Sequence, residues 1–315
     1  MQNTEKSQYN RNNDEIDLLE LFKVVAKGRW IIGSLTTFTT IVALYYSLSL
    51  PNIYQSSALL NPLESQDTMS GALKSYGGIA SLAGINLPAQ GGSGNVPKAI
   101  KKIASLSFFE NNIMPHIDLP ELMAVKYWDY ETNSLVFDEN IYNKKSKTWV
   151  RNFSYPQKEI PSSQESFEVF KDNHFSINED KKNGFITLTI RHQSPYIAKK
   201  WSELIINQIN IFYREKDKES AIRSVNYLNT QIAKASLSEI KQVLAQLLQT
   251  ETQKLTLIES NKSYVFDFID PPAVMEKKSD PQRAIICFLG LLLGLIMSSI
   301  IVLVRHYAIK TTTSI

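Results

Sequence analysis

Two blocks of the chain are apolar without a charge, and the residues between them follow shorter periods. The first block is Trp30–Leu50, WIIGSLTTFTTIVALYYSLSL, closed by Pro51; the second is Ala284–Val304, with no proline. A helix rises about 1.5 Å per residue, so roughly 20 apolar residues cross a ~30 Å hydrocarbon layer. Both blocks are therefore read as transmembrane helices, 30–50 and 284–304. The Thr and Ser hydroxyls of the first can bond carbonyls one turn back, which makes them tolerable in lipid. A cleaved signal peptide fits it poorly, because the polar lead 1–29 is long and partly acidic and no A-x-A-like site follows. A buried core helix fits the second poorly, since such helices are amphipathic and shorter.

Directly after the first block, NIYQSSALLNP is rich in β-formers and reads as a strand. A Gly-rich loop follows, and then KAIKKIASLSFFENNIM, where Ile100, Ile103, Leu106, Phe109 and Ile113 share a helical face. In FITLTIRH, Ile186, Leu188 and Ile190 alternate with Thr187, Thr189 and Arg191, the pattern of a half-buried strand. Ser194 and Pro195 then supply an N-cap and a first-turn proline. From there no proline occurs until Pro271 and no glycine until Gly290. Ile197, Trp201, Ile205, Ile209 and Phe212 form one stripe. It resumes after REKDKES at Val225, Leu228 and Ile232, and continues slightly out of phase through Ile240, Leu244 and Leu247. The spacing predicts one long helix over about 195–260, kinked near Arg214–Ser220, in which some 60 residues would span about 90 Å. Such a helix cannot be stable alone in water, and few other long helices are on offer. Val225, Leu228, Ile232, Ile240, Leu244 and Leu247 are thus the expected seam between subunits. YVFDFIDPP reads as a returning strand, and residues 271–283, with Pro271, Pro272 and Pro281, form a stiff polar collar before the second block.

Charge sets the topology. Lys23, Lys27 and Arg29 precede the first block, and Arg305 and Lys310 follow the second, whereas no Lys or Arg lies between Pro51 and Leu73. The positive-inside rule places both termini in the cytoplasm and 51–283 outside. Lys277, Lys278 and Arg283 run against that rule; the first span usually dominates, so the assignment stands. The outer part is nearly neutral, 27 Lys+Arg against 26 Asp+Glu, which argues against binding nucleic acid or another polyanion. The lone cysteine, Cys287, lies in the second span, so the outer part has no disulfide.

Catalytic signatures are absent. The Gly-rich loop contains no phosphate-binding G-x-x-x-x-G-K-[ST]. His116, His174, His192 and His306 lack metal-ligand spacing. No cofactor, metal or catalytic residue is expected. The aromatic stretch with Tyr127, Trp128, Tyr130, Trp149, Phe153 and Tyr155 suits either a core and subunit contacts or stacking on sugar rings. Gly290 and Gly294 form a GxxxG pair continued by Ser298, a small face on which another transmembrane helix can pack closely: the first span, a neighbouring subunit or a partner protein.

The order of these parts resembles the Wzz-type chain-length determinants, the polysaccharide co-polymerases of Gram-negative inner membranes. The resemblance is carried by DEIDLLELFKVVAKGRWII before the first span, YQSSALLNP after it, GIASLAGI in the loop, and IDPPAVMEKKSDPQRA with Gly290 and Gly294 at the end. Met275, Asp280 and Gln282 depart from the family's collar, where Pro, Ser and Lys are common. The resemblance implies an α+β periplasmic domain with a membrane-proximal mixed sheet and a very long helix, flanked by two transmembrane helices, with tails 1–29 and 305–315. It implies a non-enzymatic, ring-like homo-oligomer of unknown number. Working with a separate O-antigen polymerase, and with the growing glycan as a further candidate partner, it would set lipopolysaccharide O-antigen length. Some capsule-type relatives carry a cytoplasmic kinase; about ten residues follow the second span here, so none is expected. The alternatives are a co-polymerase for capsule, exopolysaccharide or enterobacterial common antigen and, more distantly, a periplasmic adaptor of an efflux or secretion system. A two-span sensor would need an output domain that neither tail is long enough to hold.

Overall fold

The computed structural model describes residues 18–63 and 95–312. The Gly-rich loop, GIASLAGI included, lies outside the described residues, as does most of the tail 1–29. The chain divides into two compact units, residues 1–51 with 280–315, and residues 52–279.

The larger unit is built on a four-stranded sheet. Its strands are β1 (Tyr54–Pro62), β6 (Phe175–Glu179), β7 (Ile186–His192) and β8 (Phe266–Asp270), in the order β6-β7-β1-β8. Two small hairpins, β2 (Val125–Asp129) with β3 (Ser134–Phe137) and β4 (Tyr142–Asn143) with β5 (Thr148–Trp149), stand apart from it. The main sheet is wholly antiparallel, not mixed as expected. β1 lies between β7 and β8 and opposes both, so the parallel relation of β7 to β8 never becomes a hydrogen-bonded pair. β7 alternates buried and half-buried along its whole length, with Ile186, Leu188 and Ile190 at zero exposure. This is the period-two signal of a sheet with one packed face.

On that face lies α7 (Pro195–Lys234), whose helical turns run on through Arg214–Ser220. Pro195 occupies its first turn, but the Ser194 side chain does not cap it. Ser194 is buried instead, and its backbone N–H goes to His192. Ile197, Trp201, Ile205, Ile206 and Ile209 from α7 join Ala58 and Leu60 of β1 and the β7 isoleucines in the main core. Phe108, Phe109 and Ile113 close it from a helical stretch. The single helix predicted over 100–113 is there broken into α3 (Asn95–Ile103), a short α4 (Leu106–Phe108) and a π-turn (Phe109–Ile113). Two further short helices, α5 (Leu119–Met123) and α6 (Ser163–Val169), complete this layer.

The predicted 195–260 helix is two helices. α7 ends at Lys234, and α8 (Ser238–Ser260) starts after a break in which Ala235 and Leu237 are extended. The sheet dictates this. A straight helix over 195–260 would end about 100 Å from its start. The five residues 261–265 reach at most about 18 Å. Yet β8 must pair with β1, next to the strand from which α7 departs. Only a helix that doubles back meets both conditions. α7 is about 60 Å long and α8 about 34 Å, so the first part of α7 covers the sheet and the remainder pairs with α8.

Side chains fix the base of this hairpin. The buried Asn210 amide accepts from the backbone N–H of Val265 (2.8 Å) and Phe266 (3.0 Å) and donates to the Phe266 carbonyl (2.9 Å). The Tyr264 hydroxyl donates to Asp217 at 2.7 Å, and Lys218 pairs with Glu259 at 2.7 Å.

The smaller unit contains α1 (Leu18–Lys27), α2 (Arg29–Ser49) and α9 (Arg283–Thr312). α2 and the stretch Arg283–His306 of α9 are long and apolar enough to cross a membrane.

Candidate functional site: the paired apolar helices, the collar and the hairpin

α2 and α9 face each other along small residues. A Cβ built on Gly290 would lie 2.4 Å from the Ala43 Cβ, and one on Gly294 would lie 2.0 Å from Thr39 Oγ1 and 3.1 Å from the Thr36 Cα. Ser298 is fully buried, with its hydroxyl 3.5 Å from that of Thr36. One turn further, Val302 fills the space over Gly28. Gly290, Gly294, Ser298 and Val302 recur every four residues, which is one face of a helix. The large side chains point away from it: Phe288, Leu293 and Met297 are each more than half exposed. In lipid no hydrophobic force joins two apolar helices, so close backbone approach is what holds them. The hydroxyls of this seam bond back along their own helices. Thr39 reaches the Thr36 carbonyl (2.9 Å), as does Thr40 (2.8 Å), and Ser298 reaches that of Leu295 (3.0 Å). Of the three packing partners open in the sequence for Gly290, Gly294 and Ser298, the chain itself provides one.

The collar is pinned to the start of β1. Pro272 is buried while Pro271 is exposed. The Ser56 hydroxyl donates to the Ala273 carbonyl at 2.9 Å. The Ser279 N–H donates to the Ile53 carbonyl (2.8 Å), and Lys278 reaches Asn52 Oδ1 (3.1 Å). Residues 272–279 are therefore tied to the rest of the larger unit. Pro281 lies in the other unit, half-buried after a cis bond from Asp280.

The hairpin takes up much of the seam assigned to subunit contacts. Leu228, Leu244 and Leu247 are buried together between α7 and α8, with Ile232 and Ile240 packed beside them. Val225 is half-buried. The seam finds its partner inside the chain because the helix doubles back, which the spacing of apolar residues alone cannot disclose.

Sequence spacing also missed a buried histidine pair. His174, at the end of the π-turn after α6, and His192, at the end of β7, lie 5.5 Å apart between ring centroids, and both touch the Trp201 ring. The Ser194 N–H donates to His192 Nδ1 at 2.9 Å, so Nε2 carries the hydrogen and donates to the Glu121 carbonyl at 3.0 Å. His174 Nδ1 donates to the Arg191 carbonyl at 2.7 Å. His192 is thus a neutral anchor for backbone, and His174 anchors backbone through Nδ1. Burial lowers the pKa of each, that of His192 to about 3. An unfolded chain protonates these rings near 6.5. Above that pH neither state takes a proton there, and the full stability is present. Below it the unfolded chain binds protons that the fold refuses, and for His192 stability falls until pH about 3. For His192 alone the loss at pH 5 is about 2 kcal/mol. Melting of the detergent-solubilised protein should therefore drop between pH 7.5 and 5, and His192→Gln should flatten that drop. Equal slopes in the two proteins would remove His192 from the account.

Among known families, the model described as Wzz, chain length determinant protein, matches residues 14–111. A solved structure described as a full-length bacterial polysaccharide co-polymerase is similar at 13% identity and a TM-score of 0.38, covering 94% of this chain and 99% of that one. A second, a fragment of the polysaccharide co-polymerase WzzB from Salmonella Typhimurium, shares 13% identity at a TM-score of 0.28, covering 73% and 100%. No curated protein matches the chain. Over residues 14–111, then, this chain is similar to the Wzz chain length determinant family.

Proposed function

We propose that this protein is a chain-length determinant acting in polysaccharide synthesis, and that its polymer is lipopolysaccharide O-antigen. The family match over residues 14–111 is the observation that carries the reading, because it spans the first apolar helix and the strand that opens the outer unit. The protein resides in the bacterial inner membrane as a two-span chain, with both termini cytoplasmic and residues 52–279 in the periplasm. It works as a homo-oligomeric scaffold beside a separate O-antigen polymerase and is not itself an enzyme. Two features support a mechanical role. The collar is hydrogen-bonded to β1, so movement of the sheet is passed to the residues leading into α9. α9 in turn packs on α2 without large side chains between them.

The test is deletion of the gene in its host, with extracted lipopolysaccharide separated on a silver-stained gel. A clustered ladder is expected to become a smooth, short-biased one, and the cloned gene to restore the cluster. An unchanged ladder would defeat the O-antigen reading and direct the same test to capsule, exopolysaccharide and enterobacterial common antigen.

A further inference from the structure

One end of the larger unit gathers partly exposed aromatic rings. It is the end at which the chain enters, at Asn52, and leaves, at Ser279, held together by the Ser279–Ile53 and Lys278–Asn52 hydrogen bonds. Tyr54 follows at once. Its ring meets that of Trp128 edge-on, with centroids 5.5 Å apart, and Trp128 meets Tyr196 at 6.0 Å. Three distant segments converge here: the start of β1, the hairpin strand β2, and the first turn of α7. Tyr54 pairs in register with His192 at the end of β7, which brings the α7 start and Tyr196 to the same corner. The cluster is not core. Tyr196 is 51% exposed, and Trp128 and Tyr54 are half-buried. Trp128 turns its indole N–H to the exposed Asn133 Oδ1 at 3.0 Å, so its polar edge is satisfied at the surface. Lys277 and Lys278, the two lysines that run against the positive-inside rule, are exposed on the collar, and Lys278 reaches Asn52, two residues before Tyr54.

Rings with an apolar body and a polar edge partition to the headgroup layer of a bilayer, and lysines beside them favour anionic headgroups. Tyr54 lies five residues beyond the end of α2, and five residues of chain span at most about 18 Å. We propose that the Tyr54–Trp128–Tyr196 cluster, with Lys277 and Lys278, is a lipid-contacting surface that seats the outer unit in the headgroup layer. This rests on the reading of α2 and α9 as membrane spans. It gives the two contrary lysines a role as headgroup contacts.

The test uses the full chain in vesicles of mixed zwitterionic and anionic lipid, with and without bromine at a shallow acyl position, which quenches nearby indoles. The chain has four tryptophans. Trp30, at the start of α2 and 81% exposed, reports the span itself. The wild type minus Trp30→Phe isolates it, and Trp30→Phe minus Trp30→Phe/Trp128→Phe isolates Trp128. Both signals are expected to fall in the brominated vesicles. In a Lys277→Glu/Lys278→Glu background the Trp128 loss should shrink in anionic vesicles and change little in zwitterionic ones. Quenching of Trp30 without quenching of Trp128 would overturn the surface and leave the spans intact. No quenching of either would overturn both. Trp128 quenching that ignores the lysine changes would remove the lysines from the site.

Discussion

Leu244→Asp is expected to open the outer part of the helical hairpin while leaving the main core folded. Leu244 is 1% exposed and sits with Leu228 and Leu247 in a cluster separate from the sheet core. Truncating such a leucine alone costs about 2–5 kcal/mol. A carboxylate in its place adds an unpaired charge or an uncompensated proton uptake. The cluster is small, so the penalty is capped by the free energy of opening the hairpin locally, and the expected effect is about 3–5 kcal/mol. Hydrogen exchange should show protection lost across 221–258 and kept across 186–213. Under the proposed function the glycan ladder of the variant strain should shift or broaden with polymer still made. Unchanged exchange over 221–258 would mean that the seam contributes little to the hairpin.

Gly290→Leu is expected to separate α2 from α9. Even the first added carbon would sit 2.4 Å from the Ala43 Cβ, which is fixed to the backbone and cannot rotate away. The helices must part. The close approach at Gly294 and the Gly28–Val302 contact then weaken together. Overpacking of this kind costs about 1–3 kcal/mol. In lipid no hydrophobic term makes up the loss. The 3.5 Å approach of the Thr36 and Ser298 hydroxyls offers a measurement. In a Cys287→Ser background, a Thr36→Cys/Ser298→Cys pair should form a disulfide in membranes, and Gly290→Leu should reduce its yield severalfold. Gly33→Leu is the matched control, because a Cβ at Gly33 meets nothing within 4 Å and should leave the yield unchanged. Equal yields in the Gly290 and Gly33 variants would refute the seam.

These two sites also show how differently sequence and structure inform. The small face of Gly290, Gly294 and Ser298 is legible because a four-residue repeat of small side chains in an apolar run has one geometric meaning. Its partner is not legible, since many surfaces accept a small face. The leucine seam was legible as a stripe but not as to what covers it. The break that turns the stripe on itself falls at Ala235–Leu237, where no glycine or proline marks a stop. The His174–His192 pair, 18 positions apart, left no trace in spacing, because burial and backbone partners are properties of the assembled layers.

The sequence by itself determined what local period and length can carry. These are two bilayer-length apolar helices, the alternating strand 186–192, the helix start at Pro195 and the returning strand before the collar. Each depends on neighbours a few residues apart, which is the range over which side-chain periodicity and backbone hydrogen bonds act. The tertiary structure alone decided which faces meet: an antiparallel sheet, a hairpin in place of a rod, a collar fastened to β1, and glycines set against Ala43 and Thr39. Those pairings join residues tens to hundreds of positions apart. They are selected by the requirement that each apolar face and each backbone group find a partner somewhere in the fold.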